Sequence, residues 1–462
     1  MNYIATLCFD GVHSADYYNY DINQLEKENK AVDMVIVGAS QVYHACNPDV
    51  ISKELGIGEV IDCTTASAMF DGQYYMLRDM LRRFHPKYVV VEMSWRRFTD
   101  KSPGAKSRGR LLMSDRLKWP DKLDYGFHCF YPEQLLNLLL PMYRFGGNVW
   151  GTSQLKENYI NKKAIREGNW PDESERNYRK NGFCWYKKSV VPGSIPAEEF
   201  YYSDDNVEEY EVKWARKIVE LCKEWDVPVL WMTVPTSIVE LYDIQNYQAS
   251  PDFMTNLAKE LGIQYLNFSL LKDREKLLPE PLFADRVHLN GEGSLVFSPV
   301  FARIIKSAFD GEDVSGLFYK NIDELKNDID RVVACNGRVN HAEDGTLQVE
   351  VKSLHNDAIT PEYRLVLKKK AELQVAKAKA AADGTDDDGD EATNDAEDED
   401  KTDDDEFEVE VTQLRAWQEE TTFSVDPAEI PEGYLLCLEA RKKGQTEATA
   451  HINGLTERYK GS

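Results

Sequence analysis

No run of ~18 apolar residues occurs in the chain, so no segment reads as a membrane-spanning helix. The most apolar stretch, Leu135-Leu136-Asn137-Leu138-Leu139-Leu140, is short and stops at Pro141. Met1-Asn2-Tyr3-Ile4-Ala5-Thr6-Leu7-Cys8 lacks both a basic start and a full apolar core, so no signal peptide is expected. Such a chain is either cytosolic or exported by a segment it does not contain. Cysteine is sparse, eight residues at positions 8, 46, 63, 129, 184, 222, 335 and 437. No C-x-x-C pair and no adjacent histidine pair is present, which argues against a zinc site, and no metal is expected. Basic residues are also outnumbered, 55 Lys+Arg against 80 Asp+Glu, for a formal net charge of −25. That field repels phosphate and excludes a general nucleic-acid binder.

The acidity is local. Residues 383–406 hold fifteen Asp/Glu and one lysine, Lys401, so this tract carries −14 and the remainder −25 + 14 = −11. A block of like charges repels itself and stays solvated, so about 380–406 reads as a disordered acidic loop. It lacks the register of an EF-hand calcium loop.

Apolar residues make up 42% of the chain, with 9 Trp, 24 Tyr and 18 Phe, enough for a substantial core. Residues 1–30 read as an N-terminal extension. Val32–Val37, Val60–Cys63 and Tyr88–Met93 are apolar strand runs, separated by helical patterns at Pro48–Leu55 and Gln73–Phe84. The alternation resumes with a helix over Val207–Trp225, a strand over Val227–Val234, a helix over Asp252–Leu261, a strand over Ile263–Phe268 and a last helix over Glu292–Phe309. This order predicts a three-layer α/β/α domain over 31–310, built on a parallel sheet and interrupted by an insertion at about 95–200. After a linker at 311–330, Arg331–Ala334, Thr346–Val351, Tyr363–Leu367, Phe407–Val411 and Tyr434–Ala440 alternate apolar and polar residues. They predict a C-terminal antiparallel β-sandwich over 331–462, with the acidic tract between two of its strands.

Two segments carry chemistry. The first strand delivers Gly38-Ala39-Ser40-Gln41, placing a serine at the strand's C-terminal edge, where open α/β sheets bind ligands. Alone, Ser40 reads as readily as a helix cap. Asp285-Arg286-Val287-His288-Leu289-Asn290 stands just before the last helix. An aspartate three residues before a histidine accepts the imidazole Nδ1–H and leaves Nε2 free as a base. An early serine combined with late Asp and His, all at strand ends, favours a Ser-His-Asp nucleophilic site.

These blocks resemble the SGNH/GDSL hydrolase superfamily, whose first block ends in the nucleophilic serine and whose last is D-x-x-H. Val35-Ile36-Val37-Gly38-Ala39-Ser40-Gln41-Val42-Tyr43-His44-Ala45-Cys46-Asn47-Pro48 is similar to the branch of teichoic-acid D-alanylation factors and alginate-type O-acetyltransferases, as are the segment from Tyr74–Leu77 through His85–Glu92 and the D-x-x-H-L-N-x-x-G block. The resemblance covers about residues 30–310. It implies a flavodoxin-like, SGNH-type sheet with Ser40 as nucleophile, His288 as base and Asp285 as its orienter. It also implies esterase or O-acyltransferase chemistry, without a cofactor, on an O-acylated glycan or other cell-envelope polymer. An extracytoplasmic setting and a membrane-bound acyl-transfer partner are implied in the same way. Where the superfamily has a glycine in its second block, this chain reads Asp62-Cys63-Thr64-Thr65-Ala66-Ser67; where it has an asparagine in its third, Glu92-Met93-Ser94-Trp95 stands. The oxyanion candidates are therefore the Ser40 backbone N–H with Thr64, Thr65 or Ser94. The alternative reading is a catalytically impaired scaffold that binds glycan or assists envelope assembly.

His44, Asn290, Arg96 and Arg97 are the candidate substrate contacts. Residues 95–122 carry nine Lys/Arg against three Asp, a local +6 that reads either as a groove wall for an anionic polymer or as a face paired with acidic neighbours. Trp150, Trp170, Trp185, Tyr186, Tyr201 and Tyr202 downstream are able to stack on sugar rings or to pack the insertion's own core.

Overall fold

The computed structural model describes residues 14–99, 103–139, 152–171, 177–370, 372 and 410–456. The acidic tract, Trp150 and Phe407 lie outside the described residues.

Five parallel strands form the central sheet: β1 (Val32–Gly38), β2 (Glu59–Thr64), β3 (Tyr88–Glu92), β4 (Val229–Thr233) and β5 (Gln264–Asn267). Their order is β2-β1-β3-β4-β5, the flavodoxin-like order expected. The sheet divides two cores by the period-2 alternation of its strands. Val35, Val37, Val89, Val91 and Trp231 face one, covered by α1 (Ser14–Lys27), α4 (Phe70–Phe84), α5 (Glu209–Glu224) and α6 (Ala249–Leu261). Met34, Ile36, Val90, Leu230 and Met232 face the other, covered by α2 (Ser40–Ala45), α3 (Pro48–Leu55) and α7 (Gly291–Phe309). Because both faces are covered, β1 is buried along its whole length, which is why it reads as a continuous apolar run. Its one charge, Asp33, accepts from the Gly58 amide at 2.9 Å and from Lys87 at 3.1 Å.

The N-terminal stretch is less separate than its sequence suggests. Tyr17, Tyr18, Ile22 and Leu25 of α1 join the first core. The stretch read as a linker contains a helix, Ile322–Asp328, with Ile322 and Leu325 buried in a third core shared with Tyr202, Val239 and Tyr242.

Beyond it, two antiparallel sheets share one core. The strands are β6 (Ala334–His341), β7 (Leu347–Leu354), β8 (Pro361–Lys369), β9 (Val411–Gln418), β10 (Thr422–Val425), β11 (Tyr434–Lys442) and β12 (Ala450–Ile452). One sheet runs β9-β8-β11-β12, the other β10-β7-β6. Val349, Phe423, Leu365, Leu436 and Leu438 meet between them. The expected strand at Arg331–Ala334 starts only at Ala334, because Val332 and Val333 are core anchors on the approach rather than alternating strand positions.

Candidate active site

The order of the sheet makes the C-terminal edge of β1 a switch point, since its neighbours β2 and β3 receive connections running in opposite directions. Ser40 stands there as the first residue of α2, behind Ala39, which is extended at φ −122° and ψ −157°. Gly38 is required just before it. A Cβ at that position would lie 2.4 Å from Val42 Cγ2 and 2.9 Å from Glu92 Cβ.

From the other end of the domain, the segment leading into α7 brings its two groups to the same edge. Ser40 Oγ is 2.8 Å from His288 Nε2, and His288 Nδ1 is 2.8 Å from Asp285 Oδ2. Asp285 Oδ1 accepts the backbone N–H groups of Val287 at 2.7 Å and His288 at 2.9 Å, which fixes the carboxylate. A carboxylate oxygen facing Nδ1 places the ring proton there and leaves the Nε2 lone pair toward Ser40. Burial alone would raise the Asp285 carboxyl; the hydrogen bond and charge of His288 and the two amides outweigh it and hold its pKa at about 2. The three side chains that the sequence singled out are thus in one hydrogen-bonded line.

A cavity of about 360 Å³ opens beside them. Ala39–Gln41 form its floor, Ser67–Met69 one wall, Ser94, Arg96 and Arg97 another, and Asp285–His288 the last. Of the oxyanion candidates, Ser94 lines it, but Thr64 and Thr65 do not. Thr64 ends β2 and Thr65 follows it, both are buried, and the chain reaches the cavity only at Ser67. Ser67 was not anticipated. It adopts φ +54°, a left-handed conformation uncommon for a residue with a Cβ. Gly109 of the helix Pro103–Ser114 packs against its carbonyl so closely that a Cβ there would lie 2.0 Å from the oxygen.

Two of the expected substrate contacts have other work. Asn290 caps α7, its Oδ1 accepting the Gly293 amide at 2.9 Å while its Nδ2 donates to the Pro281 carbonyl at 2.7 Å. His44 lies behind His288 rather than along the cavity, its ring 5.5 Å from that of His288 at 80°. It stacks on Tyr186 at 4.6 Å, and its Nδ1–H donates to the Cys184 carbonyl at 2.9 Å. Burial, with His288 adding to it, pulls His44 down to about 3, so the ring is neutral.

Arg96 and Arg97 do reach the cavity. Arg96 is 2.5 Å from buried Glu240 and lies over the rings of Trp95 and Phe200. Arg97, also in the lining, is ion-paired with buried Glu92. Much of the remaining basic insertion is consumed internally. Lys106 faces Glu211 at 3.4 Å, Arg110 faces Asp71 at 2.8 Å, Lys118 faces Glu26 at 2.5 Å and Lys122 faces Asp115 at 3.4 Å. Among the aromatics, Trp170 packs on Tyr17 and Tyr20, Tyr202 on Trp95, and Trp185 under Arg179; Tyr201 is exposed.

No helix of the described residues is long and apolar enough to cross a membrane, and no group of metal-ligating side chains occurs among them. No protein-family model and no curated protein matches the chain. Among solved structures, it is similar to a GDSL-like lipase from Bacteroides thetaiotaomicron at 12% identity and a TM-score of 0.30, over 63% of this chain and 99% of that one. It is also similar to the psychrotrophic esterase EstA from a Pseudoalteromonas species, at 9% identity and a TM-score of 0.28, over 60% and 99% of the two chains. At such identities and TM-scores the likenesses carry no argument about chemistry, which rests on side-chain geometry.

Proposed function

We propose that the chain is a serine esterase or O-acyltransferase with Ser40 as nucleophile, His288 as general base and Asp285 as its orienter. The observation that carries this reading is the unbroken line from Asp285 Oδ2 through His288 to Ser40 Oγ, at 2.8 Å in each step, on the wall of a cavity. Nε2 takes the hydroxyl proton as Oγ attacks an ester carbonyl. The imidazolium, stabilised by the Asp285 carboxylate, then returns that proton to the leaving alcohol. The acyl group rests on Ser40 until water or an acceptor hydroxyl, deprotonated in turn by His288, removes it. For the carbonyl oxygen the proposed donors are the Ser40 amide, at the start of α2, and the Ser67 amide, since the Ala68 N–H already donates to the Thr65 carbonyl at 3.3 Å.

An O-acylated glycan as substrate, an extracytoplasmic setting and a membrane-bound acyl donor are part of the proposal. Their support is the similarity of the segment around Ser40, of the segment from Tyr74 through Glu92 and of the D-x-x-H block to the D-alanylation and alginate-acetylation branch. The internal pairing of residues 95–122 lends no support to a polyanion as substrate. A fluorophosphonate should label Ser40, and His288→Ala should abolish labelling while the protein stays folded. A folded wild-type protein that takes no label would overturn the assignment.

A further inference from the structure

We infer that Glu92 and Arg97 form a positioning pair that sets the nucleophile turn, an inference that rests on Ser40 being the nucleophile. Glu92 is the last residue of β3 and is 0% exposed. Its Oε2 accepts the backbone N–H of Ala39 at 3.2 Å, the residue immediately before Ser40. The carbonyl of that same residue accepts the amide of Val42 at 3.0 Å. Ala39 is therefore clamped on both of its peptide groups, one from the neighbouring strand and one from α2, and Ser40 follows directly, inside the turn that the second bond closes.

Three features show that this contact is built. Gly38 leaves the space that Glu92 occupies: a Cβ there would lie 3.0 Å from Oε2 and 2.9 Å from Glu92 Cβ. Arg97, 5% exposed, both ion-pairs with the Glu92 carboxylate and donates to the Glu92 backbone carbonyl at 2.9 Å. It thus fixes side chain and strand end together. Finally, a buried ion pair costs desolvation that a well-packed apolar pair would avoid, so it is weak as a stabiliser and makes sense as a device for geometry. Glu92 does not line the cavity and touches none of the reacting atoms; its effect reaches Ser40 through the Ala39 amide.

The test compares two double variants that both remove the buried charges. Glu92→Gln with Arg97→Met keeps an oxygen for the Ala39 amide; Glu92→Leu with Arg97→Met does not. Fluorophosphonate labelling at saturation separates the first-order inactivation rate from the half-saturating concentration, with thermal melting run beside it. Both variants lose the cavity-lining Arg97 side chain, so its effect cancels when the two are compared with each other. The leucine variant should fold, share the half-saturating concentration of the glutamine variant and inactivate at least about tenfold more slowly than it, as expected when one hydrogen bond that positions the reacting group is removed. A folded leucine variant with the wild-type rate would overturn the inference, and so would a glutamine variant as slow as the leucine one. Should the leucine variant not fold, Glu92→Ala with Arg97→Met is read by the same criteria. Wild-type protein that takes no label would refute the nucleophile itself, whereas labelling of wild type with no difference between the variants refutes only the positioning pair.

Discussion

Asp285→Asn should inactivate by reversing a proton rather than by breaking a fold. Asp285 Oδ1 already accepts two backbone N–H groups, at 2.7 and 2.9 Å. In the variant, the amide oxygen must stay at that position, because an NH2 group would face two donors. The NH2 therefore takes the place of Oδ2, 2.8 Å from His288 Nδ1, and presents a donor where an acceptor stood. The imidazole answers by accepting at Nδ1 and carrying its proton on Nε2. That nitrogen, 2.8 Å from Ser40 Oγ, then donates to the hydroxyl and is unable to deprotonate it. Loss of the productive tautomer in an analogous triad costs ~10⁴ in rate, about 5.5 kcal/mol of barrier at 1.36 kcal/mol per decade. Fluorophosphonate labelling, which needs no knowledge of the substrate, should fall by about that factor with the melting curve little changed. The downfield proton resonance of the His288 Nδ1–H, present in wild type, should vanish. Labelling within about tenfold of wild type would refute the reasoning, since neither tautomer nor carboxylate would then matter to Ser40.

Three further outcomes follow from other parts of the molecule. Arg97→Met alone strands the buried carboxylate of Glu92 without its partner and should cost about 3–5 kcal/mol in a urea melt, most of it recovered when Glu92 is also neutralised. Ser67→Gly relieves a left-handed residue at φ +54° and should stabilise the fold by about 1 kcal/mol, with labelling of Ser40 retained; a destabilised variant would mean that the Ser67 side chain holds the cavity wall. Glu211 is buried beside Asp71, and its burial, with that charge, raises its carboxyl to about 7 despite Lys106. Its folded pKa thus lies above the unfolded value of ~4.3, so its contribution is complete below about pH 4 and is lost as pH rises toward about 7. The loss is bounded at about 3–4 kcal/mol, from roughly 2.5 units at 1.36 kcal/mol each. Urea midpoints at pH 5 and 8 should show that decline in wild type and a shallower one in Glu211→Gln; identical slopes would show that Glu211 is not the group responsible.

What the sequence disclosed and what it hid divide along physical lines. Strands β1 to β5 were legible because a sheet covered on both faces makes apolar runs, and turns such as Gly38 and Gly262 punctuate them. Ser40 was legible because it directly follows a strand, and Asp285 and His288 because their D-x-x-H spacing stands just before a helix. The wall of the cavity was not. Thr64 and Thr65 sit nearer in sequence to the end of β2 than Ser67, yet burial claims them, and only the packing of Gly109 on the Ser67 carbonyl shows where the chain turns. Tyr186 reaches the His44 ring from a segment with no local signal, since nothing in its neighbourhood specifies a contact across more than a hundred residues. Glu92 did carry a signal, a carboxylate closing the run Tyr88-Val89-Val90-Val91, where a charge is almost never buried without a partner.

That last residue bears on how the charge of the whole chain is used. Residues 95–122 looked like a basic face in an acidic protein, but many of its cations turn inward to meet carboxylates: Arg97 to Glu92, Lys106 to Glu211, Arg110 to Asp71. These pairs tie the insertion to β3, α4 and α5. Burying each carboxylate would be prohibitive without its partner, so the insertion is needed to make the sheet edge habitable for charge. The local +6 is then a structural complement to acidic groups of the α/β domain. A ligand approaching the cavity meets chiefly Arg96, whose side chain is 42% exposed, and that cation is itself held by Glu240. Selectivity at this site is therefore expected to come from the shape of the cavity and the placing of Ser40, and raising the ionic strength should change the labelling rate little.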